Sequence, residues 1–259
     1  MSVHFDRKVF FDDIRHALFG GKLTQQQVDG MTFKLNQWEA HPYHPTDLRW
    51  LSYPFATSMH ETASTMWPIE EYGKGEGMAY GKPDAETGQT YYGRGDVQLT
   101  WKENYTRATR ELGLQDTPDD LKWHAAKALD PKISADVMFM GMREGWFRKS
   151  GGKPETLHRY FSEDKDDPFN AREIINGDKN RKPNWANGKT IGQLIAGYHK
   201  EFFEALTAAA IWDIPEPLPP TPEPTPEVQP VLLAVTLHPG QSILITVNGE
   251  IYQPTGEAS

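Results

Sequence analysis

Between residues 214 and 230 the chain places eight prolines among seventeen residues, and no other feature limits its folding so strongly. Proline fixes φ at about −65° and lacks an amide proton, so this stretch enters neither a helix interior nor the middle of a sheet. Its Pro-Glu-Pro and Pro-Thr-Pro repeats favour an extended, semi-rigid spacer with no chemistry of its own. The chain is therefore predicted to comprise a principal domain over 1–213, a linker over 214–230 and a small tail over 231–259.

Within the principal domain, apolar residues recur at helical spacing. Val9, Phe10, Ile14, Ala17 and Leu18 form a stripe over 5–18 that stops at Gly20-Gly21. Thr24 and Gln27 have capping-box spacing, and Val28, Met31 and Leu35 continue the pattern to Trp38, so residues 1–45 open the domain as a helical hairpin. Further helices are predicted over 55–65, which Pro68 should end or bend, over 102–112, closed by Gly113, and over 133–147 and 190–211. The last begins with a Thr190/Gln193 capping box and presents Ile191, Leu194, Ile195, Tyr198, Phe202 and Leu206 on one face. Residues 72–95 interleave seven glycines with four tyrosines and read as loop or short hairpin. The predicted class is mainly α with a small β-hairpin or loop region. In the tail, strands are predicted over 231–237, 242–247 and 250–253, turning at Pro239-Gly240 and Asn248-Gly249. Three short strands are marginal alone, so the tail is expected to dock, oligomerise or bind an unknown protein or other component.

Composition narrows the partners. With 37% hydrophobic residues in 259, the chain can bury a sizeable core. The net charge is −9, and the five glutamates of 214–259 leave about −4 for the remainder. No strongly basic face follows, which argues against nucleic acid as a partner and offers no overall charge to capture a polyanion. The absence of cysteine removes disulfide and thiolate chemistry. Residues 1–11 lack a signal-type apolar core and no run is long enough to cross a bilayer, so synthesis in a cytoplasm without stable membrane insertion is expected.

Chemistry concentrates in His60-Glu61-Thr62, Glu70-Glu71 and the block Tyr91-Tyr92-Gly93-Arg94-Gly95-Asp96-Val97-Gln98-Leu99-Thr100-Trp101, followed by Asn104-Tyr105. Glycoside cleavage needs one protonated carboxyl and a second, ionised one. Glu61 falls on an apolar helix, where desolvation would favour its protonated form. On a continuous helix Glu71 would lie about 15 Å further along the axis, beyond the roughly 5–9.5 Å of a working pair. Pro68 lets the chain double back. Taken singly, each of these glutamates is most simply a solvated surface residue, so the pattern must carry the reading.

Over residues 55–203 that pattern resembles the family 19 glycoside hydrolases, the chitinases and phage endolysins built on a lysozyme-like helical fold. The segment from Tyr92 to Tyr105 is the most specific part. His60-Glu61-Thr62 and Ile174-Ile175-Asn176-Gly177 resemble further motifs of the family, and the opening hairpin with Thr65 to Gly73 is more similar to phage lysins than to plant chitinases. The resemblance implies Glu61 as general acid, Glu71 as base with Glu70 as the alternative, and Thr100 as the hydroxyl that helps hold the nucleophilic water, hence inversion. It implies that Tyr92, Arg94, Gln98, Asn104 and Asn176 shape the cleft or bind sugar hydroxyl and acetamido groups. Ala63-Ser64 departs from the plant pattern, disulfides are missing, and an Arg of the last helix is replaced near Ile195, which would remove a substrate contact or an orienting partner for a carboxylate.

The expected function is hydrolysis of peptidoglycan glycan strands between amino sugars, without metal or organic cofactor, after release from a host cytoplasm. The alternatives are a chitinase on N-acetylglucosamine polymers, a non-catalytic wall-binding or assembly protein, and a toxin delivered between bacteria. Other patterns read blandly. The glycines of 73–81 lack the Gly-Lys-Ser/Thr of a phosphate loop, and no His-Glu-x-x-His is present for zinc. Arg94-Gly95-Asp96 suits a structural role, His60 an orienting or packed one, and Asp164, Asp166, Asp167 and Asp178 a solvated acidic loop rather than a calcium site.

Overall fold

The computed structural model describes residues 2–41 and 46–213, and in the tail the two strands Ile245–Val247 and Glu250–Tyr252. The chain separates into two compact units, Met1–Pro215 and Glu216–Ser259. In the second, those two strands pair antiparallel. The predicted spacer, the strand predicted over 231–237 and both predicted turns lie outside the described residues.

Six helices build the described part of the first unit: α1 (Arg7–Leu18), α2 (Gln25–Ala40), α3 (Arg49–Glu61), α4 (Lys102–Glu111), α5 (Pro131–Glu144) and α6 (Ile191–Ala209). The capping boxes read at Thr24/Gln27 and Thr190/Gln193 are both formed. Phe5, expected in the first helix, instead belongs to β1 (Val3–Phe5), which pairs antiparallel with Ala210–Trp212. Asp6 then caps α1 by accepting from the Val9 amide at 3.1 Å. The strand pair ties the chain's start to the end of its last long helix, and residues 210–211, predicted helical, serve as strand.

α3 departs most from expectation, running over Arg49–Glu61 rather than 55–65. Every residue from Leu51 to Met59 is buried, so no polar face exists to reveal a period, and Pro54 lies within the helix. Pro68 does not end it. Instead Ala63, Ser64 and Met66 take φ values of 49°, 64° and 57°, left-handed conformations that cost of order 1 kcal/mol or more each in non-glycine residues. The turn is held by its neighbours: Lys34 Nζ donates to the Met66 carbonyl at 2.7 Å, Gln27 Nε2 to that of Ser64 at 2.9 Å, and the Met66 amide to Thr62 Oγ1 at 3.1 Å. Similarly, α5 ends at Glu144, three residues short of expectation, because Gly145 adopts φ 69° as its left-handed cap.

α6 packs along α1 and α3, with Ile191, Ile195, Phe202 and Leu206 fully buried as the periodicity implied. Between residues 72 and 93 the one regular element is a short 3-10 turn, Ala79–Gly81, in keeping with a glycine-rich loop. This loop leads from β2 (Ile69–Glu70) to β3 (Arg94–Gly95), which pair with Ile69 opposite Gly95 and Glu70 opposite Arg94. Thus the chain does double back after Pro68. A buried polar knot fixes β3 to the helices: Asp96 Oδ1 meets Lys34 Nζ of α2 and Ser58 Oγ of α3, both at 2.7 Å, and Asp96 Oδ2 accepts from Ser134 Oγ of α5 at 2.6 Å. At Gly95, φ 84° and the approach of the Ala128 carbonyl and Ser134 hydroxyl, 2.9 Å from where a Cβ would sit, leave room for glycine alone. No described helix is long and apolar enough to cross a membrane.

Candidate active site

A cleft of about 480 Å³ opens where the end of α3, the β2–β3 pair, the start of α4 and the loop after residue 174 converge. Glu61, Glu71, Gln98, Thr100, Asn104 and Asn176 all line it. α3, buried from Leu51 to Met59, delivers Glu61 as its last residue, so the carboxyl is mounted on a firmly packed helix.

Glu61 does not sit in an apolar setting, as its helix suggested. Its Oε1 accepts from Arg172 Nη1, and Arg172 Nε donates to Asp178 Oδ1 at 2.7 Å. Burial works against the charge on Arg172, yet the charges and hydrogen bonds of Glu61 and Asp178 outweigh it and hold the guanidinium above its usual range. Arg172 comes from the 3-10 segment Asn170–Ile174. It supplies Glu61 with an orienting guanidinium from outside the last helix, where the replacement near Ile195 would remove a substrate contact or an orienting partner for a carboxylate. Asp178, read as part of a solvated loop, is instead the second anchor of this cation. Beside Glu61, burial lowers the His60 pKa, and the ring lies 6.2 Å from that of Trp185.

Glu70 and Glu71 part ways. The Glu70 carboxylate accepts from Tyr92 OH at 2.7 Å and pairs with Lys74 at 3.2 Å, contacts that hold its pKa below the usual range although burial opposes them. It is not among the cleft-lining residues, whereas Glu71 is. Glu71 Oε2 accepts from the Gly93 amide at 3.1 Å, and its own amide donates to the Gly93 carbonyl at 2.8 Å. This bridging fixes the side chain on the wall while leaving carboxylate lone pairs for a ligand.

The adjoining part of the same wall is built by tight backbone. Gln98 and Trp101 have φ 52° and 76°, and Thr100 between them donates its hydroxyl proton to the Gln98 carbonyl at 2.7 Å. With its proton committed, the Thr100 oxygen can only accept, which suits a water that must donate to it and present a lone pair elsewhere. Gln98 spends its amide on the Ile69 and Gly95 carbonyls at 3.1 and 3.2 Å, so it braces the wall more than it offers donors to a sugar. Asn104, six residues on, reaches the same cleft because the chain turns at Trp101, and it spends one amide proton on the Thr100 carbonyl at 2.8 Å.

Two residues expected to contact substrate lie behind this wall. Arg94 is 5% exposed, stacked 3.7 Å over the Tyr92 ring, and donates to the Thr90 carbonyl at 2.8 Å and Tyr105 OH at 3.1 Å. Tyr92 is also buried, its hydroxyl committed to Glu70. A buried guanidinium with all these partners is scaffold, and the block's spacing exists to assemble it. Sequence reasoning missed Tyr80, Trp101 and Arg148, which line the cleft, and Arg172, which orients Glu61. Trp101, 46% exposed and edge-on to Tyr80 at 4.9 Å, had the clearest signal, an aromatic directly after Thr100. Arg148 and Arg172 come from distant segments and had none. Among the described residues no group of three or more His, Asp or Glu side chains is gathered as metal ligands.

No family model and no curated protein matches the chain. Among solved structures, chitinase C from Streptomyces griseus is similar over 78% of this chain and 92% of its own, at 22% identity and a TM-score of 0.48. A family GH19, class IV chitinase from Zea mays is similar over 77% of this chain and 94% of its own, at 19% identity and a TM-score of 0.46. Likeness of this degree leaves activity to be argued from the cleft itself.

Proposed function

We propose that the protein is an inverting glycoside hydrolase that cuts the glycan strands of bacterial peptidoglycan between amino sugars. The observation that carries this reading is the convergence on one cleft of two glutamates from separate elements with a hydroxyl whose proton is already committed. Glu61 gives its proton to the glycosidic oxygen as the bond to the anomeric carbon breaks. Glu71 takes a proton from the water whose oxygen attacks that carbon from the opposite face, and Thr100 accepts the water's other hydrogen. Arg172 holds Glu61 in place, and Asp178 shares that cation so that its charge is not spent on the acid alone. A sugar filling the cleft displaces water from around the acid and the bond it cleaves. The residues of 1–213 form the catalytic domain, and the enzyme reaches its substrate after release from the cytoplasm in which it is made.

The experiment is hydrolysis of peptidoglycan strands and N-acetylglucosamine oligomers by the parent, Glu71→Gln and Glu70→Gln, with the anomer of the first product read by NMR. Inversion, a loss of 100-fold or more in Glu71→Gln and near-parent activity in Glu70→Gln are expected, at about the size general acid–base catalysis contributes. Retention of configuration, or a greater loss in Glu70→Gln, contradicts the assignment. Cleavage confined to N-acetylglucosamine oligomers makes the protein a chitinase.

A further inference from the structure

The basic residues of the first unit are mostly paired, but one ordered loop beside the acid leaves cations free. Residues 178–190 carry Lys179, Arg181, Lys182 and Lys189 against a single acid, Asp178, in a chain of net charge −9. Lys179 is taken by Glu173 at 3.3 Å and Asn170 at 2.7 Å, and Arg181 lies 3.7 Å from Asp178. Lys182 and Lys189 are exposed and, among the described residues, make no ion pair.

The same loop raises Trp185 on the short turn Asn184–Ala186, 62% exposed, with its ring 6.2 Å from His60, the neighbour of Glu61. Its root is tied to the acid as well, since Asp178 and Glu61 share Arg172. The loop is built rather than slack. The Ile191 and Gly192 amides donate to the Arg181 and Lys179 carbonyls, both at 2.9 Å, the Lys189 amide to that of Ala186 at 3.0 Å, and Ala186 is buried. Ordering of this kind is a cost already met before a ligand arrives, so an exposed ring and two free cations held there are preorganised for binding.

We propose that this loop is a substrate-reading rim that recognises the acidic peptide side chains of the wall glycan, with Trp185 against a sugar face and Lys182 and Lys189 against peptide carboxylates. The inference rests on the proposed glycosidase function and adds the feature of the substrate that is read. A flat, partly polar ring suits a pyranose face. Chitin carries no charge for the two lysines to meet, whereas each peptide-bearing muramic residue of a wall strand presents carboxylates close to the cleavable bond. Exposed charge pairs are weak singly and are screened by salt, so a pair of them is expected to change turnover of the charged substrate by about tenfold.

The test compares kcat/KM of the parent, Lys182→Glu/Lys189→Glu and Trp185→Ala on intact sacculi and on the same strands stripped of peptide by an amidase, with the lactyl carboxyls so freed capped as neutral amides. Thermal melting confirms that the surface variants fold. The charge reversal is expected to lower kcat/KM on sacculi about tenfold at low salt, by less at about 0.5 M salt, and not at all on stripped strands. Trp185→Ala is expected to slow both substrates. Equal effects of the charge reversal on both substrates, or none on either, overturn the rim while leaving the glycosidase reading intact. A parent inactive on sacculi, stripped strands and N-acetylglucosamine oligomers alike overturns the glycosidase reading and the rim with it.

Discussion

Arg172→Met removes the cation that two carboxylates share. The Arg172 side chain is 3% exposed, and those of Glu61 and Asp178 are 15% and 17% exposed, so neither remaining carboxylate is well hydrated. Taking one partner from a buried ion pair costs about 3–5 kcal/mol, and methionine fills much of the vacated volume, so little cavity cost is added. Because Glu61 and Asp178 retain some solvent, the lower end applies, about 3 kcal/mol at pH 7. The loss should depend on pH in a fixed direction. Burial pushes the Asp178 pKa up, but the Arg172 hydrogen bond and charge outweigh it and depress the value in the folded protein. A depressed carboxyl contributes stability above its unfolded pKa of about 3.9, lost as pH falls through that value and then the folded one. The gap between parent and variant is therefore largest at pH 7 and shrinks below about pH 4. Urea unfolding followed by tryptophan fluorescence at both pH values measures it. A loss under about 1 kcal/mol at pH 7, or one that does not shrink in acid, refutes the shared-cation account.

Lys34→Met should cost about 3–5 kcal/mol by stranding Asp96, which is 1% exposed, and Lys34→Met/Asp96→Asn should recover part of that in the same unfolding assay; a single-variant cost near zero would contradict it. His199, packed against Tyr53 and Phe161 with Ser52 Oγ 2.9 Å from its Nδ1, is lowered to a pKa of about 4, first by burial and then by the charge of Arg49. The unfolded chain protonates this histidine near pH 6.5 while the folded one resists. Stability should thus fall by about 3 kcal/mol between pH 6.5 and 4, and this slope should be missing from a titration of His199→Gln.

What the sequence revealed followed from how each feature is encoded. One-sided helices such as α6 and local chemistry such as the capping boxes were legible, because both lie within a few consecutive residues. The first half of α3 was not, since a helix buried on all sides has no polar face and Pro54 stands inside it. The candidate acid, base and threonine were legible through a resemblance of spacing, but spacing cannot separate residues that touch a ligand from those that hold the wall. Arg94 and Tyr92 belong to the second kind: their partners Thr90, Glu70 and Tyr105 surround them only once β2, β3 and α4 are assembled. Arg172 was invisible for the complementary reason, as its meeting with Glu61 spans more than a hundred residues of chain and leaves no periodic trace, and Asp178 stood out only as one of a loop's acids.

The proposed role of Glu61 is proton donation in a wall-cutting glycosidase. It is tested most directly by exposing purified sacculi and outer-membrane-permeabilised Gram-negative cells to the intact protein and to Glu61→Gln, with released fragments read by mass spectrometry. Clearing by the parent alone, with new reducing ends that identify the bond cut, is the expected result. Equal clearing by both proteins, or no release from walls or chitin by either, would contradict the account.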